Sequence, residues 1–222
     1  MKKTKRAVIF GTASFAEVAA FYLTHDSSYE VVGFTATGDH TGASAFLNLP
    51  LIPFDEVDTI FPPGDHDMFV AVGYAKMNNL RERFATEARA KGYTMLTYVC
   101  SKATTWPDLQ IGSNCFIFED NTIQAFVSIG DGTILWSGNH VGHHSTIGAN
   151  CFITSHVVVS GHCKIGSNSF VGVNATISEG VTIGDRNLIG PSTLIQKDTE
   201  PDEVFLASRT TKYPKDSSRF FR

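Results

Sequence analysis

The sequence lacks most of the features that assign a chain to a class at first reading. No apolar run reaches the length of a membrane span or a secretory leader core, because the basic start MKKTKR gives way to a short strand-like run ending at Gly11. Basic charge is also scarce: a net charge of -4 and a pI near 6.0 leave no polybasic footprint for nucleic acid or an anionic membrane. Cys100, Cys115, Cys151 and Cys163 are the four cysteines, and no two have CxxC spacing, so neither a disulfide framework nor a zinc ribbon is expected. Charged residues make up only 18% of the chain and hydrophobic ones 42%, which excludes a disordered polymer. What is left is a globular protein of 222 residues, enough for one large or two small domains, expected in the cytoplasm and without membrane insertion.

Against these absences stands one strong regularity. From Ile111 to Ile195 an aliphatic residue recurs at every sixth position without a gap, and glycine often follows it, as at Gly112, Gly130, Gly142, Gly148, Gly166, Gly172, Gly184 and Gly190. Two positions before each aliphatic the side chain is small or compact, from Cys115 and Asn121 through Cys151 and Cys163 to Thr193. A period of six suits neither a helix nor simple strand alternation; it is the signature of a hexapeptide β-helix. Three hexads close one triangular coil, so residues eighteen apart should stack about 4.8 Å apart in adjacent rungs. The repeat covers about five coils, more than the roughly three such a stack needs. The histidines of GNHVGHHSTIG (138–148), whose spacing otherwise suits a helix face, therefore belong to the coil. Cys115, Cys151 and Cys163 take the inward position and read as packing, and Asn121 and Asn139 as an inward amide ladder.

Residues 1–100 read differently. AVIF ends in the turn Gly11-Thr12-Ala13-Ser14-Phe15-Ala16, and Phe15, Val18, Ala19 and Tyr22 follow at helical spacing. Ser14 and Glu17 have capping-box spacing. The strands YEVVGFT and MFVAVGY come next, then a helix with Met77, Leu80, Phe84 and Ala88 on one face that stops at Gly92, and a last strand, YTMLTYV. Alternating strands and helices imply a small parallel α/β sheet. The Gly11 turn is a degenerate GxGxxG with Ala13 at the middle glycine, and the second strand ends in Phe34 and Thr35 without an acid for a ribose, which argues against NAD chemistry. A nucleotide diphosphate at the helix N-terminus remains open beside a purely architectural turn. Thr35, Gly73, Lys76, Asn78 and Arg81 lie after strand ends where a nucleotide could sit; Lys76 and Arg81 read equally well as solvated charges.

A short Rossmann-like unit carrying VIFGTASFAEVAAFYL, followed by a gap-free hexapeptide repeat, resembles the sialic acid O-acetyltransferase (NeuD-like) family of sugar acyltransferases, whose relatives include bacterial nucleotide-aminosugar N-acetyltransferases (PglD-like). The resemblance extends to about Lys197. It implies a left-handed parallel β-helix over 101–222, a homotrimer with acetyl-CoA between neighbouring coils, and a nucleotide sugar held by the N-terminal unit at Gly11, Ala13, Ser14, Thr35, Gly73 and Lys76. It also implies that His143, in HVGHHSTIG, is the general base and that the Gly161 N–H faces the oxyanion. The next residue is His144 where the family often has Glu or Asp, and the tail VFLASRTTKYP departs from the family's usual ending.

Stacking by eighteen provides an independent reading of the same residues. His143 falls between Ala125 and Gly161, beside a rung without a side chain where a ligand can approach backbone. His144 stacks on His162, which makes His144 either a catalytic-site residue orienting the substrate, with His162 at the acetyl-CoA site, or half of a solvent-facing pair. His140 lies between Thr122 and Val158, and His156 beside Gly138; His25, His40 and His66 fall outside the repeat and read as loop or surface residues. The expected reaction is transfer of acetyl from acetyl-CoA to the amine of a nucleotide-linked amino-deoxysugar in surface-glycan biosynthesis, without a metal. Sugar O-acetylation is the alternative. A zinc enzyme of the γ-carbonic anhydrase type would want histidines five residues apart, which are not present, and a non-catalytic trimeric scaffold ranks behind the enzyme readings.

Overall fold

The structure, a computed structural model, describes residues 2–38, 44–212, 214 and 217; His40 lies outside them. The N-terminal unit contains β1 (Lys5–Phe10), α1 (Ser14–Asp26), β2 (Tyr29–Ala36), β3 (Ala45–Phe46), β4 (Leu49–Pro53), α2 (Val57–Ile60), β5 (Asp67–Val70) and α3 (Asn79–Ala90). Its sheet runs β3-β4-β2-β1-β5, parallel except for the β3–β4 hairpin, which no pattern in the sequence announces. Alternation along β1 and β5 sorts the core. Ala7, Ile9 and Phe69 pack on the side of α1, while Val8, Phe10, Met68 and Val70 pack with Phe84, Ala85 and Ala88 of α3.

Two helix starts differ from expectation. α1 begins at Ser14, but its N-cap is Ala13 and no side chain caps it, so Ser14 and Glu17 form no capping box. Met77 is not helical: Lys76, Met77 and Asn78 all have positive φ and lead into α3, which starts at Asn79. The expected last strand also divides. Met95 bridges to Met68, whereas Tyr98–Val99 (β6) pairs with the first coil.

From β7 (Gln110–Ile111) to β21 (Leu194–Ile195) the chain is a parallel β-solenoid of two-residue strands, closed by β22 (Val204–Phe205). The strands form three faces. The first contains seven described strands, β6 to β22 by way of β8 (Phe116–Ile117), β11 (Ile134–Leu135), β14 (Phe152–Ile153), β17 (Phe170–Val171) and β20 (Leu188–Ile189); the other two contain five each, one through β9 (Thr122–Ile123) and β12 (His140–Val141) and one through β10 (Ser128–Ile129) and β13 (Thr146–Ile147). Register pairs within the repeat are eighteen residues apart, as in His140 opposite Val158 and Ile129 opposite Ile147. All the periodic aliphatics from Ile117 to Ile195 are buried in one core with Cys115, Cys151 and Cys163. Removing one of these side chains down to Ala would cost about 2–5 kcal/mol.

The compact inward position also stitches rungs together. Thr133, Asn139, Ser145 and Ser169 each accept, through a side-chain oxygen, the N–H of the residue eighteen further on. Asn121 and Asn139 do not form the expected amide ladder; both donate to the Trp136 carbonyl. Burial pushes the Cys115 and Cys151 thiols up to about 12, so they stay protonated and serve packing.

A second period-six feature lies at the corners. Residues 114, 120, 126 and so on to 192 all take positive φ, and the sequence places Asn, Asp, His or Gly at most of them. These are the residue types that tolerate the left-handed conformation best.

The first face bears the N-terminal unit. Phe116, Ile134 and Phe152 point outward from it into one core with Ala7, Ala16, Ala19 and Phe69. Arg81 locks the junction. It is not solvated but fully buried, and its guanidinium donates to the carbonyls of Gly132 (2.8 Å), Asn150 (2.8 Å) and Cys151 (3.2 Å) on the coil and of Val72 and Gly73 on its own unit. Burial lowers its pKa to about 10. Asn78, also buried, donates to the Asn168 and Ser169 carbonyls. Among the described residues no helix is long and apolar enough to cross a membrane.

Candidate active site

Each coil passes from the first face to the face containing β12 (His140–Val141), then to the face containing β13 (Thr146–Ile147), and back. The turn 142–145 therefore sits on the edge opposite the face that bears the N-terminal unit. His143 and His144 are exposed there, and one rung on His162 is exposed beside them. His144 and His162 occupy left-handed corners, with φ of 58° each. Their rings stack at 4.9 Å and 15°, and Phe126, one rung back and 68% exposed, continues the column at 4.7 Å from His144. Phe126 escaped the sequence reading, although it stands eighteen residues before His144; an aromatic side chain at a left-handed corner is the signal that marks it.

The backbone fixes His143 on both sides. Its N–H donates to Gln124 Oε1 at 2.9 Å, and its carbonyl accepts the His162 N–H at 2.9 Å. The imidazole lies over Gly161: a methyl group added there would stand 2.9 Å from His143 Cε1 and 3.2 Å from Nε2. His143 Nδ1 faces His144 Nδ1 at 3.1 Å with the rings at 87°, so a single proton can be shared between them. With His143 as donor, its Nε2 carries a free lone pair. In that tautomer Nε2 is free to accept a proton.

The other histidines lie elsewhere. His140 is on a strand between Thr122 and Val158, and His156 fills the space beside Gly138 at a different corner. His25 is a surface residue as expected, in the last turn of α1 and bonded to the Phe21 carbonyl, whereas His66 is buried against Phe61 with Nδ1 on the Pro62 carbonyl.

The Gly11 turn opens onto a cleft of about 960 Å³, lined among others by Gly11, Ala13, Ser14, Phe15, Gly73 and Tyr74. Gly11 has φ of 125°, and a side chain there would meet the Ala71 carbonyl at 3.0 Å, so the turn requires glycine. The first turn of α1 has no side-chain cap and lines this cleft, and its N–H groups are the sort of donors that bind an anion. Among the described residues, Arg83 contributes the one charged side chain of the lining. Two expected residues are missing from it. Thr35 is buried inside the sheet, where its carbonyl takes the Gly11 N–H at 2.8 Å, and the lining falls to Ala36 and Thr37 instead. Lys76 is exposed in the left-handed turn before α3, outside the cleft.

Residues 126–161 and 162–197 match the family model described as bacterial transferase hexapeptide (six repeats). The bipartite architecture is shared with solved structures over most of their length. The acetyltransferase domain of PglB from Neisseria gonorrhoeae is similar at 25% identity and a TM-score of 0.78, covering 90% of this chain and 94% of that one. A histidine-to-asparagine mutant of perosamine N-acetyltransferase from Caulobacter crescentus, in complex with CoA and GDP-perosamine, has 24% identity and a TM-score of 0.79 over 89% and 91% of the two chains. WeeI from Acinetobacter baumannii has 15% identity and a TM-score of 0.69 over 90% and 96%. No curated protein matches the sequence.

Proposed function

We propose that the protein transfers an acetyl group from acetyl-CoA to the amino group of a nucleotide-linked amino-deoxysugar, in the cytoplasm and in the service of bacterial surface-glycan biosynthesis. The observation that carries this reading is the His143 imidazole lying over Gly161, with Nδ1 held by His144, on a coil shared with an acetyltransferase domain. His143 Nε2 takes the proton of the acceptor amine as its nitrogen attacks the thioester carbonyl. The tetrahedral intermediate then collapses, the C–S bond breaks, and CoA leaves as the thiol with the proton returned to its sulfur. Gly161 N–H is the donor proposed for the oxyanion, and His162 flanks the acetyl-CoA site. Loss of a base of this kind costs about 10²–10⁴ in rate.

The Gly11 cleft, at about 960 Å³, is large enough for a nucleotide sugar, and the α1 start and Arg83 supply what a diphosphate requires. Residues 1–100 would hold the acceptor and residues 101–222 the thioester. Because His143 stands on the edge opposite the face that bears its own N-terminal unit, an acceptor in that cleft meets the base of a second copy. A homotrimer satisfies this, and the exposed Phe126 and Val158 near that edge are the apolar side chains a neighbour would cover.

A thiol-release assay with acetyl-CoA against UDP-, GDP- and dTDP-linked 3-amino and 4-amino deoxysugars and free sialic acid, with product masses, tests the reading. One acetyl added to a nucleotide aminosugar supports it; transfer only to free sialic acid, or no transfer at all, overturns it.

A further inference from the structure

The corner that presents the base also collects three imidazoles. Among the described residues, His143, His144 and His162 are the group of three whose ligand atoms all lie within 4.8 Å of one another. Two of these atoms, His143 Nδ1 and His144 Nδ1, are 3.1 Å apart. Two nitrogens each about 2.0–2.1 Å from a tetrahedral ion stand about 3.3 Å apart, so this pair already has close to the required bite. The His162 ring stands perpendicular to His143 at 5.0 Å and needs only a swing about its side-chain torsions to bring a nitrogen in. The backbone beneath is fixed by the rung bonds from His143 to Gln124 and from His162 to His143, and the bare Gly161 leaves room beside the rings. All three rings are exposed, so a hydrated ion can reach them and keep water at its remaining positions.

The donor set selects the ion. Three neutral imidazoles without a carboxylate suit a borderline cation of the Zn²⁺ type and not Mg²⁺ or Ca²⁺, which prefer oxygen. We propose that His143, His144 and His162 form a binding site for Zn²⁺, and that the bound ion reversibly inhibits the enzyme. The ion takes the Nδ1 lone pairs of both His143 and His144. The proton shared between the two Nδ1 atoms moves to His143 Nε2, because a neutral imidazole ligated through Nδ1 carries its hydrogen there, and the lone pair that must take the acceptor's proton is lost. The inhibitory half rests on His143 being the base, as proposed above; the binding half does not.

Zinc binding is measured first without any substrate, by competition of the chelator-stripped protein with a chromogenic zinc indicator. One ion per chain is expected. His162→Asn should weaken binding at least tenfold, and His144→Asn likewise, whereas His140→Asn and His156→Asn should leave it unchanged, with circular dichroism checking the fold of each. No stoichiometric binding, or equal binding by the His162 and His156 variants, overturns the site. Turnover is then followed with and without zinc. Inhibition relieved by chelator supports the regulatory role, while zinc that binds without slowing turnover, or a stripped enzyme that regains activity only with zinc, overturns it. If the stripped enzyme transfers no acetyl to any acceptor, with or without zinc, the inhibitory half falls together with the proposed function, and the substrate-free titration still decides the site.

Discussion

The coil and the N-terminal unit use opposite rules to place their important residues. In the coil, position modulo six decides whether a side chain faces the core, a face or a corner, and addition of eighteen names its neighbour. His143 beside Gly161 and His144 on His162 follow from that count and are found in the structure. In the N-terminal unit no such count exists. Arg81 finds partners 51, 69 and 70 residues away, and only the folded chain brings them together. A solenoid thus makes a site legible by arithmetic, and a layered α/β unit does not.

The contrast can be broken most sharply at Arg81. Replacing it with Ala strands several buried carbonyls at the junction of unit and coil, at about 1–3 kcal/mol each, so a loss of at least about 3 kcal/mol is expected in chemical denaturation. Lys in its place should recover little, since an ammonium cannot reproduce the fork. A loss below about 1 kcal/mol would mean that the junction does not depend on this residue.

Two glycines sharpen the comparison inside the coil. A methyl group at Gly142 would meet the Gly161 nitrogen and the Ser160 carbonyl carbon at 2.5 Å, both backbone, so Gly142→Ala must force adjacent rungs apart and should cost about 1–3 kcal/mol. At Gly161 its nearest neighbours are atoms of the His143 ring, which can turn. Gly161→Ala should therefore keep its melting temperature close to wild type but reduce turnover by about tenfold or more through displaced geometry. Equal effects on stability would contradict the packing argument.

A smaller effect is expected in acid. Burial pushes the Asp26 carboxyl up, but hydrogen bonds from Ser101 and Tyr98 outweigh it and hold the group at about 2. Burial also pushes Glu119 up, and the bonds from Tyr22 and Ser137 outweigh it to leave it low. Folded values below the unfolded ones mean that this stability is present above about pH 4 and is lost as pH falls toward 2. Asp26→Asn should flatten the acid limb of the denaturation-midpoint profile; an unchanged slope would show that the contact between α1 and the start of the coil contributes nothing. The smallest change expected is at Phe126, where Asn removes a left-handed aromatic and should add up to about 1 kcal/mol of stability while taking the ring off His144.

Legibility follows the same division. The core positions of the coil, its register and the proximity of three histidines come from spacing alone. Side-chain reach does not: Asn121 and Asn139 turn to a carbonyl in place of each other, and His156 fills a corner away from His143. In the N-terminal unit the Gly11 turn is recognisable because its backbone demands glycine. Thr35 is not, because strand alternation turns it inward, and Lys76 is not, because three left-handed residues redirect the chain before α3. The hairpin β3–β4 leaves no periodic mark, its strands being two and five residues long.

The central claim is that His143 is the base of an acetyl transfer to a nucleotide aminosugar. Its most direct test is turnover of acetyl-CoA with the best acceptor, compared between wild type and a folded His143→Ala variant, with the product mass recorded. The account predicts one added acetyl and a rate reduced by about 10²–10⁴ in the variant. A variant that turns over at the wild-type rate, or a wild type that acetylates no nucleotide aminosugar, would contradict it.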